Sequence, residues 1–138
     1  MASVASLYTP EVLGLATGLS NWPMTADLPL RGHARSPSCG STLELGLELD
    51  ATKRISRLGL KAHACAIGQA SAAIFAAAAV GKSPAEIAQA EAVMAQWLSG
   101  EGPLPDWPGL EQIAVAQAYP GRHGAILLAW RAALQALA

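Results

Sequence analysis

The clearest pattern along the chain runs from Ser41 to Asp50, where Leu43, Leu45, Leu47 and Leu49 share one phase and Thr42, Glu44, Gly46 and Glu48 the other. Period two predicts a half-buried strand. After the polar turn Asp50-Ala51-Thr52-Lys53, a second extended run, Arg54 to Ala64, puts Ile55 on one phase and Leu58, Leu60, Ala62 and Ala64 on the other. A bulge near Ser56 and Arg57 reconciles the two phases, and the pair reads as an antiparallel hairpin.

Elsewhere the spacing is helical or broken. Leu7 to Leu19 carries apolar residues at helical intervals, with Pro10 tolerated only in the first turn. Ser20 to Ser38 is rich in Pro, Gly and Ser and reads as loop, His33 included, with one short extended stretch around Asp27 to Arg31. Ala66 to Val80 reads as a small-residue helix closed by Gly81. Ser83-Pro84-Ala85-Glu86 is a capping box opening a second helix to Leu98. Gly100 to Gly109 is loop, Leu110 to Ala118 a short helix, Tyr119-Pro120-Gly121 a break, and His123 to Leu137 an amphipathic helix. The expected class is α+β: a small antiparallel sheet of about three strands, built on the central hairpin and packed against several helices.

The 138 residues are expected to form one domain, since ~100–200 residues is the usual domain length. With 52% apolar and 14% charged residues, the composition excludes a disordered chain. The net charge of −1 and the lack of a Lys/Arg cluster in any window exclude nucleic acid as an expected partner. Ala62 to Gly81 has the length of a membrane span, but it is built on alanine and carries His63, Gly68, Gln69 and Ser71, so a buried helix is expected and no membrane. The start MASVASLYTPEVLG has neither the basic region nor the apolar core of a signal peptide. With two cysteines, a cytoplasmic protein with reduced thiols is expected.

Candidate chemistry comes from those two cysteines. The turn and the leucine phases set a hairpin register in which Cys39 and Cys65 fall within about one residue of opposite each other at its open end, where adjacent strands lie ~4.8 Å apart. Ser41 and His63 fall beside them. Cys65 also opens a helix, whose N–H groups and dipole favour a thiolate, which makes it the candidate sulfur acceptor. Cys39 and Cys65 with a histidine, His63 or His123, would form a mixed S/N site suited to zinc. Arg35 and Arg122 are expected near the thiolates. Trp97, Trp107 and Trp130 are expected to be packing residues.

The segments SPSCGS (36–41), KAHACAIGQASAAIFA (61–76), GKSP (81–84), LYTPEV (7–12) and RHGAILLAW (122–130) resemble the U-type iron–sulfur cluster assembly scaffolds: IscU, the N-terminal domain of NifU, and SufU. The insertion GEGPLPDWPGLEQ is similar to that of the SufU branch. The resemblance covers nearly the whole chain and implies a SufU/IscU-like fold. It also implies sulfur received from a cysteine desulfurase, a transient iron–sulfur cluster or zinc, and recipient apoproteins. Cys39 and Cys65 match the first two of three family cysteines. The family's Asp ligand falls at Ser41 and its third cysteine at Ala125, so half of the implied ligand set is replaced. AYPGRHG stands where the IscU branch carries an LPPVK-type chaperone segment.

Three functions follow. One is an assembly scaffold or sulfur acceptor, not an enzyme, binding iron or zinc through the two cysteines. Another is a zinc-binding or metal-free interaction module that has lost cluster assembly. The last is a thiol enzyme pairing Cys65 with His63, which lacks a phosphate loop, a carboxylate pair and an oxyanion arrangement beyond the helix terminus.

Overall fold

The computed structural model describes residues 7–37 and 39–138. Ser38 of the SPSCGS segment and the first six residues, on which part of the N-terminal reading falls, lie outside the described residues. Helix α1 (Pro10–Gly18) starts at Thr9, whose hydroxyl accepts from Val12 N at 3.2 Å, and a 3-10 turn, Leu19–Asn21, extends it. Strands β1 (Leu30–Arg35), β2 (Thr42–Leu49) and β3 (Ile55–His63) form, among the described residues, one antiparallel sheet in the order β1-β2-β3. Helices α2 (Ala66–Ala79), α3 (Pro84–Leu98) and α4 (His123–Leu137) follow. This is the α+β class expected.

The hairpin holds as the alternation predicts. Leu43, Leu45 and Leu47 are buried on the inner face, and β2 pairs with β3 from Thr42↔His63 to Glu48↔Arg57. The register then slips to Leu49↔Ile55. Ser56 is left as the extra residue, its hydroxyl donating to the Glu48 carbonyl at 3.1 Å. At the tip, Asp50 Oδ1 accepts from Thr52 N (2.8 Å), Thr52 Oγ1 (2.6 Å) and Arg54 N (3.1 Å).

Strand β1 corrects the loop expected over Ser20–Ser38. Its inward positions are Leu30, Gly32 and Ala34, too small to register as an apolar alternation, because α4 lies directly on this strand. A Cβ on Gly32 would collide with the Ala132 carbonyl oxygen and lie 2.8 Å from Ala136 N. His33 accordingly stands in a strand, its N–H donating to Gln135 Oε1 at 2.6 Å.

The alanines of α2 let α1 and α4 approach it from two sides. Burial of each large apolar side chain contributes about 1.5–3 kcal/mol. The densest part is aromatic. Phe75 stacks on Trp107 (5.5 Å between centroids), and Trp130 meets both edge-on at 5.1 and 5.3 Å. Trp97 is buried as well, so all three tryptophans are packing residues as expected. The segment Leu110–Ala118 is a 3-10 rather than an α-helix. No described helix is long and apolar enough to cross a membrane.

Candidate functional site

Cys39 lies in the connection between β1 and β2. The connection closes on itself: Ser36 N donates to Ser41 O and Gly40 N to Ser36 O, both at 2.8 Å. Gly40 takes φ 72°, a left-handed conformation that costs glycine little, and Cys39 is left exposed beside it. The hydroxyls of Ser36 and Ser41, both buried, lie 3.3 and 3.1 Å from Cys39 Sγ. Once the thiol ionises, both can donate to sulfur. The bonds from Ser36 and then Ser41 hold the Cys39 thiol below its ordinary range, and the Arg122 charge adds to them.

Cys65 is the N-cap residue of α2, half-buried, and its side chain caps no amide. The first turn is tied instead by Gln69, whose Nε2 donates to Ala64 O at 2.8 Å. Extending the β2–β3 register past Thr42↔His63 brings Cys65 level with Gly40, next to Cys39.

A third segment completes the place. Arg122 precedes α4, and its guanidinium is kept firmly charged by the Tyr8 hydroxyl, 3.4 Å from Nη2, and by the negative charge of Cys65 and Cys39 when these ionise. Among the described residues its Nε is buried with no hydrogen-bond partner. The start of α4 sits against the cysteine loop, since a Cβ on Gly124 would collide with Ser36 Oγ. Ala125, 1% exposed, faces the first turn of α2, where a Cβ on Gly68 would lie 3.2 Å from its own.

The histidines are placed differently from one another. His63 ends β3, is exposed, and shares no hydrogen bond with Cys65. His123 Nε2 binds the Gln117 carbonyl at 2.8 Å, which leaves Nδ1 as its available ring nitrogen. Among the described residues, no three His, Cys, Asp or Glu side chains form a group able to hold a metal ion. Two thiols, two hydroxyls and one guanidinium therefore define the site. Ser36 escaped the sequence reading, although a hydroxyl on each side of Cys39 in SPSCGS was its visible signal. Arg35 ends β1 beside the loop, exposed.

The same fold occurs in the crystal structure of the N-terminal part of a nitrogen-fixing NifU-like protein from Brucella abortus. That structure is 24% identical to this chain, with a TM-score of 0.87 over 97% of this chain and 94% of that one. It occurs also in a protein from Fervidobacterium islandicum AW-1 described as an iron–sulfur cluster assembly scaffold for the SUF system (20% identical, TM-score 0.85, 99% of this chain and 100% of that one). A hypothetical protein solved at 2.3 Å is similar at 21% identity and a TM-score of 0.70, over 91% of this chain and 96% of that one. No family model matches the chain, and no curated protein matches its sequence.

Proposed function

We propose that this chain is a divergent member of the U-type scaffold family, folding as one domain over its 138 residues, and that it accepts sulfur for iron–sulfur cluster assembly. One observation carries the reading: Cys39 is exposed while two buried hydroxyls lie within hydrogen-bonding distance of its sulfur and support its thiolate. The fold shared with the two scaffold-type structures supports it.

The chemistry is a transfer between sulfurs. The thiolate of Cys39 or Cys65 attacks the outer sulfur of a persulfide on the donor enzyme, a cysteine desulfurase. A sulfur–sulfur bond forms on this chain, the donor's sulfur–sulfur bond breaks, and the donor cysteine leaves as thiolate. No net oxidation occurs. Cys65, at the helix terminus, remains a candidate acceptor, but the hydroxyl-supported sulfur is that of Cys39.

Iron or zinc would bind through Cys39 and Cys65, and because no third ligand is grouped with them among the described residues, His63 or His123 Nδ1 would have to move toward the thiols to complete the set. The cluster is cargo, built transiently and passed to recipient apoproteins in the cytoplasm; the chain itself is not an enzyme. A second reading, a zinc-binding or metal-free interaction module, is favoured by Ser41, whose hydroxyl is committed to Cys39, and by Ala125, which supplies no ligand.

Anaerobic reconstitution with iron and sulfide, followed by absorption spectra and metal analysis, tests the pair. Cluster bands lost in Cys39→Ser and Cys65→Ser support assembly. Stoichiometric zinc without a cluster supports the second reading, and no cysteine-dependent metal or persulfide overturns the proposed role.

A further inference from the structure

We propose that the outer face of the sheet beside the thiols is a docking surface for an acidic protein, the partner that brings sulfur. The inference rests on the function proposed above and adds the chemistry of its partner.

The face is assembled from residues far apart in sequence. At the thiol end the outward positions form two rows across the strands, Arg35–Thr42–His63 and His33–Glu44–Lys61. Arg35, His33, Lys61 and His63 are all exposed. Farther along the sheet the outer face is covered, Leu28 and Met24 lying over Gly46 and Pro23 over Gly59. The open part of the face is thus the part that borders Cys39 and Cys65.

The two rows are net positive, with Arg35 and Lys61 against one carboxylate. Glu44 is the single carboxylate on the two rows, flanked by His33 and Lys61. Among the described residues Arg54, Arg57 and Arg131 find carboxylates, at Glu86, at Asp27 and Glu48, and at Glu91, whereas Arg35, Lys61 and Arg122 find none. Arg31, on the next row, uses its guanidinium on the carbonyls of Leu28 and Thr25 and keeps its charge. The segments that build the site, 35–43, 61–73 and 117–130, contain no Asp or Glu, although the whole chain is net negative.

Cys39 is exposed in the connection between Arg35 and Thr42, so a partner whose sulfur reaches it stands beside these rows. Complementary charge speeds encounter and suppresses wrong partners, and here only negative charge is complementary. The few cations present are a small footprint for a phosphate backbone, which favours an acidic protein.

The test uses cysteine peptides as mixed disulfides with thionitrobenzoate, flanked either by glutamates or by lysines. The protein thiolate attacks the peptide sulfur, and thionitrobenzoate leaves as the chromophore. 2-Mercaptoethanol, a thiol with no other charge, reacting with the same peptides sets the reference ratio. The expected result at low salt is a preference for the glutamate peptide about tenfold above that reference. It should collapse at high ionic strength, shrink in Arg35→Gln/Lys61→Gln and invert in Arg35→Glu/Lys61→Glu, with circular dichroism confirming that the variants fold. A ratio equal to that of 2-mercaptoethanol, or one unmoved by the substitutions, overturns the proposal. So does a thiol that exchanges with neither peptide, or adsorption to anionic vesicles without peptide preference. The assay needs only a reachable thiol, so failure of cluster assembly or persulfide transfer leaves its outcome separate.

Discussion

Gly32 of β1 and Ala132 of α4 are in backbone contact, with no room for a Cβ at position 32. β1 leads into the loop that carries Cys39, and α4 begins just after Arg122, so this contact fixes the spacing between the thiol loop and the guanidinium. The obstacle is main chain rather than a flexible side chain. Gly32→Ala is therefore expected to reach or exceed the upper end of overpacking costs, about 3 kcal/mol, read as a lowered urea midpoint. A loss under about 0.5 kcal/mol would mean that the two elements can part freely.

Ser41→Ala removes one of the two hydroxyls that support the Cys39 thiolate. Since those bonds lower the thiol pKa, removing one raises it. With Cys65→Ser as background, alkylation of Cys39 by iodoacetamide at neutral pH is expected to slow. The two rates should converge above the ordinary thiol range of about 8.5, where both thiols are ionised. Equal rates at neutral pH would show that the hydroxyl does not act on the sulfur.

How far such features can be read from sequence depends on where their cause lies. The hairpin, its bulge at Ser56 and the capping box at Ser83 are local, set by alternation and turn chemistry within a few residues. β1 showed only in part, as the extended stretch around Asp27 to Arg31, because its inward positions answer to α4, a hundred residues away, which demands Gly32 and Ala34 where a strand would ordinarily show bulk. The hairpin register is local as well, and extended past Thr42↔His63 it brings Cys65 level with Gly40, next to Cys39. The cationic rows were not legible, since Arg35 and Lys61 come to share the outer face, on adjacent rows, only through the pairing of β1 and β3 on either side of β2.

Glu86 closes the capping box of α3, accepting from Ser83 N at 3.1 Å and pairing with Arg54 at 2.7 Å. The Ser83 amide, and next the Arg54 guanidinium, hold its carboxyl below the usual glutamate range. A depressed folded-state pKa contributes stability that is complete above the unfolded value of about 4.3 and is lost as pH falls through the folded one. Glu86→Gln should therefore have a lower urea midpoint than the wild type at neutral pH, and the gap should close in acid. A gap independent of pH would assign the effect to packing. Ser83→Ala, which removes the hydroxyl cap on Glu86 N, is expected to cost about 1 kcal/mol.

The resemblance implies an Asp at position 41 and a cysteine at 125, and the structure supplies a reason to test both together. Ser41 is buried beside Cys39, so a carboxylate placed there alone would repel the Cys39 thiolate and push its pKa up, weakening sulfur nucleophilicity. Ala125 is buried against Gly68, where a Cβ would lie 3.2 Å from that of Ala125, so a cysteine sulfur at 125 must turn away from Gly68 to reach the thiol rim. With zinc or ferrous iron present, added anionic ligands become favourable because the cation offsets their mutual repulsion. Ser41→Asp/Ala125→Cys is thus expected to retain more metal per chain through gel filtration than the wild type, and Ser41→Asp alone to gain little. Metal analysis by mass spectrometry reads the comparison. Equal retention in all three proteins would mean that the start of α4 cannot bring residue 125 to the thiol rim, and that Arg122 alone defines the chemistry there.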